Sequence, residues 1–223
     1  IMNQVNLISL SKPTAHTECH TAEQLVAYAA RVSNPGNQAN HESAPRLLAY
    51  LAKHKHWSPF EMVHITMEIK TTRDIARQIL RHRSFAFQEF SQRYAEVTDK
   101  FVLRDARLQD KTNRQNSVDV AGTQLDEEWK MKQAYLHHQI EKDYEWALKN
   151  GVAKEQARAI LPEGNTVSTL YMAGSLRSWL HYCELRMANG TQAEHMEIAS
   201  MCWDIIKTHF PALVDAIDLD SQG

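Results

Sequence analysis

Apolar positions along this chain recur mostly with helical spacing, broken by a few stretches that suit strands. Residues 5–10 form a short apolar run that predicts a strand, closed by Lys12-Pro13. Thr21, followed by Glu23-Gln24 and an apolar run to Val32, predicts a capped helix that Pro35-Gly36 ends. A second helix is expected over 44–53, with Leu47, Leu48 and Leu51 on one face, and Trp57-Ser58-Pro59-Phe60 breaks the pattern. Val63, Ile65, Met67 and Ile69 alternate with His64, Thr66, Glu68 and Lys70, the period of a half-buried strand. Thr71-Thr72 are then expected to cap a helix over 73–83.

The second half is mostly helical. Residues 105–120 are polar and predict a loop, and a long helix follows over 123–150, stopped by Gly151. On it, Trp129, Tyr135, Tyr144 and Trp146 are expected to pack, and His137-His138 to face solvent. A helix over 153–160 ends before Pro162, and 166–173 reads as a strand. Helices over 175–187 and 191–210 are separated by Asn189-Gly190. Helices mixed with a few strands, without repeated strand–helix units, predict an α+β fold in one domain spanning 1–223.

Composition narrows the function. The 223 residues are 43% hydrophobic and 23% charged, ordinary for a globular protein, and the net charge is −2. That balance disfavours a nucleic-acid binding module, which would need a wide basic face. Three scattered cysteines suit a reducing compartment, and neither a signal peptide nor an 18-residue apolar run is seen, so the cytoplasm is expected. Only 7 glycines occur, with no Gly-rich phosphate loop, so side chains must hold any nucleotide. The 12 histidines form no zinc-type signature, so no metal is expected. A phosphohydrolase would need paired acidic metal ligands, and no such motif lies near the basic residues.

Charge is concentrated locally. Arg73, Arg77 and Arg81 recur every four residues, where like charges repel unless an anion sits among them. His82, Arg83, Ser91 and Arg93 follow, around the one carboxylate Glu89, which would orient an arginine or accept from a ligand. Guanidiniums grip phosphate in bidentate fashion, so a small anionic ligand is expected. Arg158, Arg177, His181 and Arg186 form a second set, suited to another phosphate or to a polarised carbonyl.

Arg81-His82-Arg83 followed, after seven residues, by Ser91 resembles the signature of the flavin-dependent thymidylate synthase family. Ala29-Ala30-Arg31-Val32-Ser33, His56-Trp57-Ser58-Pro59-Phe60-Glu61, Ala76-Arg77-Gln78, Ala157-Arg158-Ala159-Ile160-Leu161-Pro162, Leu176-Arg177-Ser178-Trp179-Leu180-His181 and Gln192-Ala193-Glu194 are similar to further family blocks, in family order. The resemblance implies reductive methylation of dUMP to dTMP, with methylenetetrahydrofolate as carbon donor and FAD reduced by NADPH. It also implies a homotetramer with shared active sites and no protein nucleophile, while charge balance and the lack of a long apolar run leave neither nucleic acid nor membrane as an expected partner. The dUMP set it implies is Gln78, Arg81, Glu89, Phe90, Ser91, Gln92, Arg93, Arg158 and Arg186, the last stabilising the ionising uracil ring and acting as the catalytic residue. Its FAD set is His56, Ser58, Arg81, His82, Arg83, Glu89, Ser175, Arg177 and His181, with Ser33 and Glu61 as further candidates. The chain departs from many relatives at Gln88, Ser175 and His181, and in a longer polar segment over 104–117, expected to be a lid, a folate-side loop or an exposed loop.

Overall fold

The alternation of residues 62–70 becomes strand β2 (His64–Thr72), whose Ile65, Met67 and Ile69 are buried. The structure is a computed structural model and describes residues 3–217 and 219. Among them, β1 (Gln4–Leu10), β2, β6 (Val167–Ser175) and β3 (Ala86–Glu89) form a four-stranded sheet in the order β1-β2-β6-β3. Neighbouring strands are antiparallel, as their cross-strand contacts show. Asn3 meets Thr71 while Ser11 meets His64, and Arg73 bonds Thr166 while Leu176 bonds Val63. A separate two-stranded hairpin pairs β4 (Arg107–Gln109) with β5 (Ser117–Asp119).

Seven α-helices accompany these strands among the described residues, so the fold class is α+β. They are α1 (Ala22–Ala30), α2 (Ala44–Lys53), α3 (Arg73–Ile79), α4 (Gln124–Lys149), α5 (Lys154–Ala157), α6 (Leu176–Met187) and α7 (Ala193–His209). Three helix starts are capped: Thr21, as the sequence suggests, and also Thr123 and Ser175 each accept the backbone N–H three residues on. Thr72 before α3, in contrast, makes no capping bond, and its hydroxyl donates to Asp74 Oδ1. Gly151 ends the turn after α4 with φ +78°, a conformation that suits glycine.

Residue contacts divide the chain into two compact units. One contains Lys70–Arg81 and Gln88–Leu170, the other Gln4–Ile69, His82–Phe87 and the segment from Tyr171. In the first, α4 is fixed by polar contacts. Asp126, 1% exposed, accepts from Lys130 and from the amides of Ala106 and Gly122, which hold its carboxyl down at about 2. Gln133 bonds both the N–H and C=O of Arg104, and Arg104 reaches Asp74 at 2.8 Å. The 105–120 segment is therefore a tethered hairpin, not an irregular loop.

In the second unit, α6 packs on α7 and α1 on α2. Trp179, Tyr182, Trp203, Phe60, Phe210 and Leu48 are buried there, and the Trp179 indole donates to the Ile65 carbonyl at 3.1 Å. Two polar groups are carried into this core: His195 Nε2 and the Tyr182 hydroxyl, 3.1 Å apart and both 0% exposed. Burial first, then the charge of Arg186, holds the His195 imidazole down at about 3. Arg31, also buried, donates to the Asn40 carbonyl and to Ser43 Oγ, anchoring the loop after α1.

Several sequence expectations change. Helix α3 stops at Ile79 instead of 83, because Phe85 is packed edge-on against Trp179 at 4.9 Å and the chain turns into β3. Arg81 is thus not stacked on Arg73 and Arg77. Strand β3 itself was hidden within a segment dominated by charge. Of the four α4 aromatics expected to pack, only Tyr144 is buried, while Trp129, Tyr135 and Trp146 are exposed; His137, expected to face solvent, is buried, its ring 5.0 Å from that of Phe101.

Two predictions follow from this packing. A Cβ on Gly174 would lie 2.5 Å from a ring carbon of Phe85, so Gly174→Ala should destabilise by about 1–3 kcal/mol. An unchanged urea midpoint would disprove that close approach. His195 has a folded pKa below its unfolded value, so the unfolded chain binds more protons between the two. Stability should therefore fall as pH drops below about 6.5, and the fall should be shallower in His195→Gln than in the unmodified protein, measured by thermal melts between pH 5 and 8.

Candidate functional site

In the first unit the arginines of α3 find their anion inside the chain. Arg73, with a side chain 8% exposed, lies 3.4 Å from Glu89 Oε1, and Arg77 lies 3.1 Å from Oε2. Ser168 Oγ donates to the same carboxylate at 2.9 Å. Both arginines also approach Glu163. Glu89 is thereby committed to orienting arginines, one of the two roles expected of it, and Arg73 takes a structural role.

This clamp fixes the start of the 90–93 loop. The Phe90 amide donates to Thr169, and the Ser91 carbonyl accepts from Tyr94 and Ala95, so the segment turns sharply. Ser91 is half-buried; Gln92 is 4% exposed, and its Nε2 has no hydrogen-bond partner among the described residues. An unpartnered buried amide donor is costly unless a ligand satisfies it. Arg93 pairs with the Glu155 carboxylate at 3.5 Å, and Arg158 donates to the Glu155 carbonyl at 3.3 Å. Two residues 65 apart in sequence are thus brought to one acceptor residue. Gln78 is half-buried near the end of α3, and Arg81 is exposed just beyond it.

In the second unit, Ser175 caps α6 and Arg177 projects from its first turn to Glu61, at 2.8 Å. Hydrogen bonds from Ser175 and then Arg177 lower the Glu61 carboxyl below its usual range. His181 lies one turn further on, exposed. Arg177 and His181 line a cavity of about 530 Å³ together with Lys53, Lys55, Trp57 and Leu180. His56, Ser58 and Arg83 are exposed; His56 sits within an aromatic group with Tyr50 and His54.

His82 is turned inward, unlike its neighbours Arg81 and Arg83. The Nε–H of Arg186 donates to its Nε2 at 2.9 Å, so the imidazole is neutral and acts as acceptor. Burial pushes the ring down to about 4, with Arg186 and His181 contributing. Its faces and edges are fixed by Tyr182 at 4.9 Å and His195 at 6.3 Å.

Sequence inspection missed Arg104, Glu155, Lys53 and Lys55, and the Tyr182–His195 pair. The Tyr182–His195, Arg104–Asp74 and Arg93–Glu155 pairings span 13 to 62 residues, and Lys53 and Lys55 sit on a face that no local spacing distinguishes. No group of three or more His, Cys, Asp or Glu suited to a metal occurs among the described residues. No described helix is long and apolar enough to cross a membrane.

Comparison with known proteins gives a consistent answer. A probable flavin-dependent thymidylate synthase of Paramecium bursaria Chlorella virus 1 is 50% identical over 212 residues, covering 95% of this chain and 97% of that protein. The flavin-dependent thymidylate synthase of Synechocystis is 48% identical, covering 96% and 99%. Among solved structures, the UMP/dUMP methylase PolB of Streptomyces cacaoi, bound with 5-Br dUMP, is similar with a TM-score of 0.78 at 26% identity, covering 96% of this chain and 95% of that one. The family model described as thymidylate synthase complementing protein matches residues 14–212, and the chain belongs to that family.

Proposed function

We propose that the chain is a flavin-dependent thymidylate synthase that methylates dUMP to dTMP, with FAD as cofactor, NADPH as reductant and methylenetetrahydrofolate as carbon donor. The observation that carries this reading is the 48–50% identity to proteins of that name over nearly the whole chain. The solved UMP/dUMP methylase, bound with 5-Br dUMP, supports the nucleotide assignment.

FAD would supply the reducing electrons. The cavity beside α6 suits such a group: Trp57 and Leu180 offer apolar surface for a ring, and Lys53, Lys55 and Arg177 offer cations for a pyrophosphate. Ser175 and Glu61 hold Arg177 in place, and His181 borders the same space. His56, Ser58, His82 and Arg83 complete the proposed flavin set, with Arg81 and Glu89 shared with the nucleotide set. Glu89 acts there through the arginines it orients.

For dUMP, Ser91 Oγ, the free Gln92 amide, Arg93 and Arg158 are the proposed phosphate and sugar contacts, with Gln78, Phe90 and Arg81 beside them. Arg186 is the proposed catalytic residue. Its charge would stabilise the uracil as N3 loses a proton, which raises electron density at C5 without a protein nucleophile. The whole chain serves as one functional domain, assembled as a homotetramer in the cytoplasm. The exposed Trp129, Met131, Tyr135 and Trp146 on α4 suit burial between subunits, and the three cysteines are free.

Purified protein should take up FAD and form dTMP from dUMP, methylenetetrahydrofolate and NADPH; a folded protein that does neither refutes the reading. Arg186→Ala should lower turnover far more than it lowers FAD binding, and normal turnover would remove Arg186 from the catalytic role. Arg93→Ala should weaken dUMP binding by about 1.5–3 kcal/mol, the worth of a charge-assisted hydrogen bond. Unchanged affinity in calorimetry would free Arg93 from the phosphate site.

A further inference from the structure

We propose that His82 is a positioning residue for Arg186: its neutral Nε2 fixes the Nε edge of the guanidinium, so that the Nη edge meets the pyrimidine as it gains negative charge. This rests on the functional reading above and deepens the part played by Arg186.

The geometry is specific. Arg186 Nε donates to His82 Nε2 at 2.9 Å, across 104 residues of sequence, so the contact exists only in the folded chain. A guanidinium has two usable edges, and holding one by an intrachain acceptor sets the direction of the other. The acceptor is itself held. Tyr182 stands edge-on to the His82 ring at 4.9 Å and 80°, and Phe85 and His195 stand edge-on at 6.5 and 6.3 Å. Tyr182 in turn is tied to His195 at 3.1 Å. The segment carrying His82 and Phe85 is therefore locked against α6 and α7, the helices that carry Arg186 and His195.

The chemistry of the acceptor matters as much as its place. Arg77 and Arg177 are paired with carboxylates, which cancel much of their field. An imidazole accepts the same hydrogen bond without adding negative charge, so Arg186 keeps its full charge for the ligand. The groups facing His82 are Arg186, His181 and Tyr182 on α6 and His195 on α7, none of them an anion near neutral pH. Protonation of His82 would remove the acceptor and set two cations in contact, which burial and Arg186 both oppose.

The test compares His82→Gln, whose amide oxygen can still accept, with His82→Phe, which keeps a ring but no acceptor, and with His82→Asn, too short to reach Nε. Each is measured for FAD uptake, dUMP KM and kcat, alone and combined with Arg186→Ala. His82→Phe and His82→Asn should lower kcat about ten-fold or more while dUMP KM changes less than about three-fold. His82→Gln should recover kcat to within about three-fold of the unmodified enzyme. Each of the three double variants should be no slower than Arg186→Ala alone, since the two residues act as a unit. Equal kcat across the Gln, Asn and Phe variants, losses that multiply in the double variants, or a loss explained wholly by FAD release would overturn the proposal. If His82→Phe does not fold, the Gln–Asn comparison decides alone. An unmodified protein without FAD uptake or dTMP formation would refute the thymidylate synthase reading instead.

Discussion

The Glu89 carboxylate is the contact on which the arginine-rich segment depends. Arg73 is nearly buried, and a buried guanidinium without an anion is untenable at the level of several kcal/mol. Glu89 supplies that anion, spans to Arg77, and accepts from Ser168 on β6. The repulsion expected between arginines one helical turn apart is thus relieved by the chain itself, before any ligand binds. Removing Glu89 would leave the nearly buried Arg73 only the exposed Glu163 carboxylate at 3.5 Å, and so part of the roughly 3–5 kcal/mol penalty of a broken buried pair.

That arrangement also bears on the proposed binding role of the next four residues. A loop that grips an anion works best when its donors are already placed, because ordering them on binding costs affinity. Glu89 ties one end of 90–93 to α3 and β6, while Phe90 bonds Thr169 through its backbone. The other end is held where Arg93 and Arg158 meet Glu155. Between these anchors the buried side-chain amide of Gln92 has no partner for its Nε2 among the described residues. The loop is therefore rigid in its frame and unsatisfied at one point, the state expected of a preorganised site.

Much of this was legible in the sequence, for physical reasons that differ between elements. Helices α1, α2, α6 and α7 were evident from apolar spacing bounded by Pro, Gly or Asn turns, α1 also from its Thr21 cap, and α4 from its length and its Gly151 stop. Strand β2 was evident from its clean alternation. Strand β3 was not, because Phe87 and Glu89 share its half-buried face and a carboxylate does not register as an inward residue. The exposed aromatics of α4 misled for the opposite reason: aromatic type implies burial, but the buried face of that helix includes Asp126 and Gln133, held by polar bonds, and His137, packed on Phe101. The candidate site was legible as a set of residue types, since motif spacing marks chemistry. Its pairings were not, because Arg93–Glu155, Arg177–Glu61 and Arg186–His82 are products of tertiary packing.

Those pairings separate the arginines by the field they can exert. A guanidinium beside a carboxylate is well oriented but largely neutralised at a distance, which suits holding a loop or a phosphate by direct hydrogen bonds. A guanidinium beside a neutral imidazole is equally well oriented and keeps its charge. Stabilising a pyrimidine that becomes anionic only during reaction calls for the second kind, because the charge must act on a ring with no formal charge at the outset. A carboxylate in place of His82 would compete with the ring for the same guanidinium, and a more exposed imidazole would protonate more readily and lose its acceptor. Burial of His82 among Tyr182, Phe85 and His195 is what keeps it neutral, so the aromatic core of the second unit bears directly on the charge of its arginine.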